Sequence, residues 1–409
     1  MFSFRTTPFF DQPDLVLNHG KLGVLCNQAA WHPDHGLYLY EILAKKGNLK
    51  RVFMPEHGLF GELQDQVKLD DTSMYSQIAP DVEFVSLYGN SEESLDASKD
   101  KLTDLDALII ELQDVGCRYY TYNTTIFNLF KVLKHNEIDL PIYILDRVNP
   151  AGRQVEGTAL RAGYRSFIGI EGLVHRHGLT IGEVAYYLYN ELNAKFPLHI
   201  ISYKANECNK ELMPWSIPPS PNYPGLFTSA FYSGQCLWEG TNLSEGRGTT
   251  RPFEIFGAPF MENLITYNKE NGYSGWNDPK NPIYDESTYI RWLKFIPTFH
   301  KYKDECCFGF QLLLNPNSTG YHALAHNLRI MRFVHDSCHG FKFREGKYEA
   351  GNDKTAIELL LGDKELIDYV AGNGNWDDIK EHIKLEEQKW IRKAKKFLIY
   401  EDEQLYRIK

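Results

Sequence analysis

The sequence lacks several patterns that would assign it to a well-defined class. No uninterrupted apolar run approaches the roughly 18 residues that a membrane-spanning helix requires. Its seven cysteines form no CxxC pair, which disfavours a disulfide scaffold and an all-cysteine zinc site. Lys and Arg number 44 against 54 for Asp and Glu, without a basic block. We therefore expect no membrane span and no nucleic acid partner.

Common catalytic and nucleotide-binding signatures are absent as well. The first predicted strand runs into Asn27 without a GxGxxG turn, and no GxxxxGK sequence occurs, so the usual phosphate cradles are missing. No GxSxG sequence is present, which disfavours an α/β-hydrolase. The pairs His322/His326 and His335/His339 are each spaced four residues apart but lack the glutamate of HExxH. We expect no cofactor and no metal.

The composition is that of a globular protein, with 43% hydrophobic and 24% charged residues. A length of 409 residues predicts roughly two or three domains. Aromatic residues make up 14%, which suits a surface that binds sugars, although most aromatic side chains simply pack in cores. The scattered cysteines and the missing leader favour the cytoplasm, with the periplasm as the alternative. The oligomeric state is left open.

Short apolar runs alternate with helical patterns through the first half of the chain. Strands are predicted at Leu22–Cys26, Arg51–Pro55, Val82–Tyr88, Leu105–Leu112, Ile142–Leu145 and Leu198–Tyr203, and helices at Leu37–Lys45, Thr121–His135 and Thr180–Leu192. This succession predicts an α/β fold with a Rossmann-like, mainly parallel sheet in residues 1–205. Residues 206–409 are predicted to form a smaller α/β (α+β) domain, with a strand at Phe308–Leu314 and helices at His322–His335 and Asp377–Phe397.

Polar side chains follow most of these strands at the point where each strand ends. In parallel sheets, ligands bind in the crevice at the carboxyl ends of the strands. The coincidence therefore predicts a cleft for a polar small molecule. The residues concerned are Asn27, Glu56, His57, Asp114, Arg118, Tyr120, Tyr122, Asp146 and Arg147.

Two of these strand ends carry dense motifs. In PEHG, residues 55–58, a shielded Glu56 can act as a general acid, or it can merely cap the next segment beside a loop histidine, His57. In QDVGCRYYTY, residues 113–122, Arg118 can bind a ligand carboxylate beside tyrosines that stack on it. The alternative is an Asp114–Arg118 ion pair with the tyrosines packed against the following helix.

Two loops in the second half complete the set of candidates. EGTNLSEGRGTTRP, residues 239–252, sets Glu239, Glu245, Arg247 and Arg251 among glycines and hydroxyls, as an anion-binding loop requires, although ordinary surface loops sometimes do the same. The four prolines of WSIPPSPNYP, residues 215–224, disfavour regular helix and sheet and predict a fixed loop, which contains Asn222 and Tyr223.

Six sequences, taken together and in this order, resemble the exo-β-N-acetylmuramidase family of NamZ-type glycoside hydrolases, formerly a domain-of-unknown-function family. They are FMPEHGLFG, LQDVGCRYYTY, LDRVNPAGRQVEG, HGLTIGE, PPSPNYP and EGTNLSEGRGTTRPFEIFGAP, and the resemblance extends from about Leu22 to about Gly362. It implies a Rossmann-like catalytic domain that is partly covered by the second domain. It also implies release of terminal N-acetylmuramic acid (MurNAc) from the non-reducing end of peptidoglycan fragments such as MurNAc-GlcNAc. The family's proposed catalytic glutamate corresponds to Glu56.

Glycosidic cleavage generally needs an acid and a second group on the opposite face of the sugar. We expect Glu56 to protonate the bridging oxygen, and Asp114 or Glu245 to activate water. Alternatively the 2-acetamido group of the sugar attacks, polarised by a carboxylate or by Tyr120 or Tyr122. A non-catalytic protein that binds muropeptides or sugars in the same cleft is the alternative function.

Recognition of the lactyl carboxylate that distinguishes MurNAc from GlcNAc requires a cation in the pocket. Arg118 and Arg247 are the first candidates, because each guanidinium can bind a carboxylate through two hydrogen bonds. Tyr120 and Tyr223 are expected to stack on sugar faces, and His57 to orient Glu56 or bind a hydroxyl. The full predicted substrate-binding set is Asn27, His57, Arg118, Tyr120, Tyr122, Arg147, Asn222, Tyr223 and Arg247.

Overall fold

The computed structural model describes residues 18–32, 35–63, 73–88, 97–203, 217–318, 320–349, 352–400 and 404–408. Its strands are β1 (Leu22–Cys26), β2 (Trp31–His32), β3 (Leu37–Tyr38), β4 (Leu49–Met54), β5 (Glu83–Ser86), β6 (Ala107–Glu111), β7 (Ile142–Leu145), β8 (Glu156–Ala159), β9 (Val174–Arg176), β10 (Leu198–Ile201), β11 (Ile255–Ala258), β12 (Thr288–Phe295) and β13 (Cys307–Leu314). The larger sheet has six strands in the order β10-β7-β6-β1-β4-β5, and every neighbouring pair runs parallel. The predicted Rossmann-like sheet is thus confirmed.

The central strands of this sheet are apolar on both faces. All residues of β1, β6 and β7 are buried, as is typical of parallel strands covered by helices on both sides. Val24 and Leu25 are neighbours in β1, yet they pack in two separate hydrophobic clusters, one on each face. This alternation follows from the two-residue period of a strand. The sheet therefore separates two cores, and its carboxyl edge is left to the loops.

The five predicted helices lie close to their predicted positions, and the described residues form six further α-helices. They are α1 (Leu39–Lys46), α2 (Ser73–Ile78), α3 (Asp100–Thr103), α4 (Tyr122–His135), α5 (Ile181–Glu191), α6 (Leu226–Gln235), α7 (Tyr267–Glu270), α8 (Ala323–Ser337), α9 (Ala356–Leu361), α10 (Lys364–Val370) and α11 (Trp376–Ala394). The first predicted helix begins two residues too early, because Leu37 and Tyr38 pair with Trp31 and His32 as a short antiparallel ribbon. At the start of α5, Thr180 and Glu183 form a capping box, which fixes where that helix begins.

The second half of the chain contains a smaller antiparallel sheet in the order β11-β13-β12. Helices α6 and α8 pack against each other beside it, and Gly234 permits their close approach. A Cβ atom on Gly234 would lie 2.3 Å from the carbonyl oxygen of Ala323, which no side chain could tolerate. The expected α/β fold with a smaller second layer of helices and antiparallel strands is confirmed.

The last helix, α11, returns to the first half of the chain. The indole N–H of Trp390 donates to the carbonyl of His177, and Glu387 accepts from the backbone N–H of Gly157. The predicted division at residues 205 and 206 falls outside the described residues, so 1–205 and 206–409 remain predicted bounds. Among the described residues, no helix combines the length and the apolar character needed to cross a bilayer.

Candidate active site

A pocket lies where the loops after β4 and β6 meet loops from the second half of the chain. Six of the predicted site residues line it: Glu56, His57, Tyr120, Asn222, Tyr223 and Arg247. The loops that supply these residues are 113–122, 217–224 and 239–252, together with the PEHG turn. The carboxyl edge of the parallel sheet therefore does hold a polar cleft, and both halves of the chain contribute to its walls.

Glu56 enters the pocket from a tight turn directly after β4. His57 and Gly58 both have left-handed backbone conformations, with φ of 73° and 79°, which turn the chain sharply away from the strand. The side chain of Glu56 is only 8% exposed, and its Oε2 accepts a 2.6 Å hydrogen bond from the hydroxyl of Thr121. His57 forms a 3.0 Å hydrogen bond from Nδ1 to the carbonyl of Leu63, within its own loop. A shielded carboxyl group held by one hydroxyl donor is suited to proton transfer.

A further carboxyl group, that of Glu349, lies next to a pocket-lining segment of the first half of the chain. Its two oxygens accept backbone hydrogen bonds from Phe167 and Ile168, which themselves line the pocket. Burial raises the pKa of Glu349 above its ordinary value, and the charge of Glu56 adds to the increase. Glu349 therefore holds the backbone of the pocket residues Phe167 and Ile168 in place, and its pKa depends in part on the charge of Glu56.

Four buried tyrosines form a cluster at the back of the pocket. Tyr120 makes edge-to-face contacts with Tyr122, Tyr223 and Tyr232, with ring centroids 5.0 to 6.0 Å apart. The hydroxyl of Tyr122 donates to the carbonyl of Pro219 and thereby ties the proline-rich loop to α4. Burial raises the pKa of the Tyr120 and Tyr223 phenols well above the ordinary value, so both remain protonated at neutral pH. Of the predicted tyrosines, Tyr120 and Tyr223 line the pocket and Tyr122 packs behind them.

The pocket residues from the loop 239–252 belong to a group of side chains of alternating charge. Arg247 is 8% exposed and contacts two carboxylates: its Nη2 lies 2.6 Å from Oε1 of Glu239, and its Nε lies 3.2 Å from Oε1 of Glu245. The guanidinium also lies over the ring of Phe253, 5.1 Å from the centroid. Glu239 lines the pocket, whereas Glu245 does not.

Glu245 serves as a buried anchor for this group. It is fully buried and is bonded to Lys301 at 3.0 Å and to His300 at 3.1 Å in addition to Arg247. Burial alone would raise the pKa of Glu245, but Lys301, His300 and Arg247 outweigh it and hold the pKa well below its ordinary value. Because Glu245 does not line the pocket and both of its oxygens are bonded to basic side chains, its expected role as a base towards water does not fit.

Asp114 is also placed away from the pocket lining. Its Oδ2 accepts a 2.7 Å hydrogen bond from the backbone of Gly116 and lies 3.6 Å from Nε2 of His177. The Asp114–Arg118 ion pair considered above does not form. Asp114 instead fixes the turn after β6, which suits a structural role better than activation of water.

Arg118 differs most from its expected role. It is completely buried, and its guanidinium donates to the backbone carbonyls of Thr158, Leu173, Leu360 and Leu361. Burial lowers the pKa of this group to about 10, so it remains a cation at neutral pH. Because backbone oxygens occupy the guanidinium and it does not line the pocket, Arg118 is unsuited to bind a substrate carboxylate. We correct that expectation: Arg118 joins the two halves of the chain.

Arg147 and Asn27 lie at the strand ends but are bonded within the fold. Arg147 donates to Glu111 at 2.9 Å and to Gln113 at 3.0 Å, and Glu111 also contacts His32 at 3.2 Å. Asn27 is 1% exposed, and its side-chain oxygen accepts from the backbone of Ala29. Neither lines the pocket, so both support the loops around it rather than its surface.

The histidine pairs considered for metal binding have other contacts. His322 caps α8 and lies 2.6 Å from a carboxylate oxygen of Glu387, while Nε2 of His326 bonds the carbonyl of Ile283. Within the described ranges, no three side chains of the metal-binding types come together.

Several pocket residues were not selected from the sequence. Thr121 lies inside the QDVGCRYYTY motif, and Glu239 begins the glycine-rich loop, but neither was included in the predicted catalytic or substrate-binding set. Tyr348 donates a 3.0 Å hydrogen bond to Oε2 of Glu239 from more than a hundred residues away. The position of Glu239 eight residues before Arg247 was the available signal for that carboxylate. No local pattern marks Tyr348.

Comparison with known proteins identifies relatives over most of the chain. Residues 22–226 match the family model for the N-terminal part of exo-beta-N-acetylmuramidase NamZ, and residues 230–400 match the model for its C-terminal part. The peptidoglycan beta-N-acetylmuramidase NamZ of Bacillus subtilis (strain 168) is 30% identical over 357 residues, which cover 86% of this chain and 80% of that protein.

Two solved structures of DUF1343 family proteins from Bacteroides fragilis NCTC 9343 have the same fold. One has a TM-score of 0.75 at 23% identity and covers 96% of this chain and 97% of its own. The other has a TM-score of 0.71 at 24% identity and covers 97% of this chain and 98% of its own.

Proposed function

The chain belongs to the NamZ family of exo-β-N-acetylmuramidases, which are hydrolases of peptidoglycan sugars, and from that premise we propose its substrate and its catalytic acid. The protein releases terminal MurNAc from the non-reducing end of peptidoglycan fragments such as MurNAc-GlcNAc, and Glu56 protonates the bridging oxygen. The observation that carries this proposal is the placement of the Glu56 carboxyl group, which lines a polar pocket while only 8% exposed.

The hydrogen bonding of Glu56 supports its role as proton donor. Thr121 binds Oε2, and Oε1 takes part in no hydrogen bond to the described residues. One oxygen is thus held in place while the other is available to a substrate atom. The low exposure reduces competition from water for the same proton.

Arg247 supports recognition of the lactyl group. It is the one arginine or lysine among the described residues that line the pocket, and Phe253 and Glu239 hold its guanidinium in position. The lactyl carboxylate of MurNAc would add a charge-assisted hydrogen bond that GlcNAc cannot form. Tyr120, Tyr223 and Asn222 offer ring faces and polar groups to the rest of the sugar.

Hydrolysis of MurNAc-GlcNAc by the purified protein tests the proposal directly. We expect release of MurNAc from this disaccharide and little or no release of GlcNAc from GlcNAc-GlcNAc. Loss of a general acid typically costs 10²- to 10⁴-fold in rate, so Glu56→Gln should fall by about 10³-fold. Undiminished hydrolysis by Glu56→Gln would remove Glu56 from this role. Binding of the disaccharide without turnover by the wild type would favour the sugar-binding alternative.

We also propose a reducing compartment, the cytoplasm, as the place of action. The described cysteines are all free, and five of the six are buried. Unpaired thiols of this kind are typical of proteins kept in a reducing environment. Fractionation of cells that express the full natural chain would test this, and recovery in the periplasm would overturn it.

A further inference from the structure

Glu239 is a pocket carboxylate to which the proposed function assigns no part. It lies in the 3-10 turn Cys236–Gly240 after α6 and is 9% exposed. Both of its oxygens are held: Oε1 by Nη2 of Arg247 at 2.6 Å, and Oε2 by the hydroxyl of Tyr348 at 3.0 Å. These contacts fix the orientation of the carboxylate and stabilise a negative charge on it.

The other carboxyl groups near the pocket are less suited to contact a sugar. Glu245 is enclosed by cations and Asp114 is bonded to its own loop, and neither lines the pocket. Glu349 does not line the pocket either, and its oxygens accept from the backbone N–H groups of Phe167 and Ile168. Among the described residues, Glu56 and Glu239 are therefore the two carboxyl groups that line the pocket.

We propose that Glu239 is the second catalytic carboxylate and acts as the nucleophile of a double-displacement reaction. The inference rests on the proposed function and adds the identity of the second group. Arg247 and Tyr348 hold the two oxygens of this carboxylate in one orientation, as attack on a fixed anomeric carbon requires. The same arginine helps the carboxylate depart from a glycosyl ester, because it stabilises the charge that returns to it.

In the first step, a lone pair of Glu239 attacks the anomeric carbon. The glycosidic bond breaks, its electron pair goes to the bridging oxygen, and that oxygen takes the proton of Glu56. In the second step, water attacks the anomeric carbon and gives its proton to Glu56. As the new bond forms, the bond to Glu239 breaks and its electron pair returns to the carboxylate, so MurNAc leaves with its original configuration.

The contact between Arg247 and Glu239 also relates the catalytic carboxylate to recognition of the lactyl group. The lactyl group is attached through the oxygen on ring carbon 3, two bonds along the ring from the anomeric carbon. A guanidinium that already holds Glu239 is therefore placed to contact the lactyl carboxylate as well. Arg247 would act as a positioning residue for both groups.

Azide rescue with an activated aryl β-muramoside tests the assignment. Glu239→Ala should lower kcat/KM by roughly 10³-fold or more, because the attacking group is lost. Azide should restore turnover of this variant and yield the α-muramosyl azide, because azide takes the place of the missing carboxylate. With Glu56→Ala, azide should instead yield the β-muramosyl azide by attack on the glycosyl-enzyme. Glu262→Gln, at an exposed glutamate outside the pocket, serves as the matched control and should keep wild-type kinetics.

A second measurement needs no variant and therefore does not depend on the folding of Glu239→Ala. Wild-type protein treated with a 5-fluoro muramosyl fluoride should accumulate a covalent adduct, and mass spectrometry should locate it on the peptide that contains Glu239. A first product of inverted configuration, or an adduct on another residue, would overturn the inference. If the wild type releases no MurNAc at all, the proposed function fails instead, which keeps the two failures distinguishable.

Discussion

Glu56 and Glu239 line one pocket from opposite halves of the chain, and their surroundings differ in charge. Glu56 is bonded by a neutral hydroxyl, that of Thr121, whereas Glu239 is bonded by the guanidinium of Arg247 and the hydroxyl of Tyr348. Glu56 thus has a neutral hydrogen-bond donor, whereas one of the two donors of Glu239 is a cation. In the proposed mechanism, the carboxyl group beside the neutral donor gives up a proton, and the one held by two donors attacks the sugar.

The largest effect should separate the two carboxyl groups by their dependence on the leaving group. Glu56→Gln should lose about 10³-fold in kcat/KM on MurNAc-GlcNAc but far less on an aryl muramoside, because a good leaving group needs little protonation. Glu239→Gln should lose activity on both substrates to a similar degree. Steady-state kinetics with the two substrates checks this. If the two variants lost kcat/KM equally on each substrate, the two carboxyl groups would not have different roles.

The next effect concerns two arginines, one structural and one in the pocket. Arg118→Met leaves several buried carbonyls without a donor and should reduce the free energy of unfolding by about 3 kcal/mol or more. The selectivity of the Arg118→Met variant for MurNAc over GlcNAc substrates should equal that of the wild type. Denaturant unfolding together with kinetics on both substrates checks this expectation. A loss of selectivity without a loss of stability would show that Arg118 takes part in substrate recognition.

Arg247→Met should show the opposite behaviour. Loss of a charge-assisted bond to the lactyl group is worth on the order of 2–3 kcal/mol, or roughly a hundredfold in selectivity for MurNAc over GlcNAc substrates. The comparison of kcat/KM for the paired aryl glycosides measures it. Arg251→Met, at an exposed arginine of the same loop, is the control and should retain full selectivity.

A smaller effect is expected from the single hydroxyl that holds Glu56. Thr121→Val keeps the shape of the side chain and removes the hydrogen bond to Oε2. A neutral hydrogen bond contributes about 1 kcal/mol, so kcat/KM on MurNAc-GlcNAc should fall by roughly fivefold. Thr125→Val, whose hydroxyl bonds the backbone carbonyl of Thr121 and not the carboxyl group of Glu56, should leave the rate unchanged. Equal losses in both variants would attribute the effect to the helix instead.

The smallest effect should appear in the titration of Glu349. Its pKa is raised first by burial and then by the charge of Glu56, so Glu56→Gln should lower the pKa of Glu349 modestly. Because the folded pKa lies above the unfolded one, Glu349 favours the folded state most at low pH, and this contribution is lost as the pH rises through the folded pKa. Carboxyl NMR titration of wild type and variant measures the shift. An unchanged value would show that the two groups do not interact.

The parallel sheet was predictable from the sequence because each buried strand is a short, continuous run of apolar residues. The bounds of β1 and β7 agree with the prediction, since each is a short apolar run between polar turns. The helix predicted from Leu37 starts at Leu39, because pairing of Tyr38 with Trp31 depends on a contact that periodicity does not report. Strand β12 was missed because Thr288 is buried and Tyr289 is exposed, so the alternation in burial is not an alternation of apolar and polar residue types.

The site was predictable in its location but not in its assignment of residues. Strand ends and dense motifs indicated the edge of the sheet at which the pocket lies. Arg118 and Arg247 are the same residue type in equally dense motifs, and only the tertiary surroundings show that carbonyls occupy one of them. Glu239 and Glu245 lie in one loop, and their separation into a pocket residue and a buried anchor depends on Lys301 and Tyr348, which are distant in sequence.

Helix α11 also has a consequence for how the pocket receives its ligand. It is fastened to the first half of the chain by Trp390 and to α10 by a 3.0 Å contact between His382 and Asp363. A helix that is hydrogen-bonded to both halves of the chain opposes a hinge motion of one half relative to the other. Discrimination should then come from a cavity that is already shaped before the sugar arrives, and a chain cut short ahead of Trp376 would lose that rigidity together with its resistance to proteases.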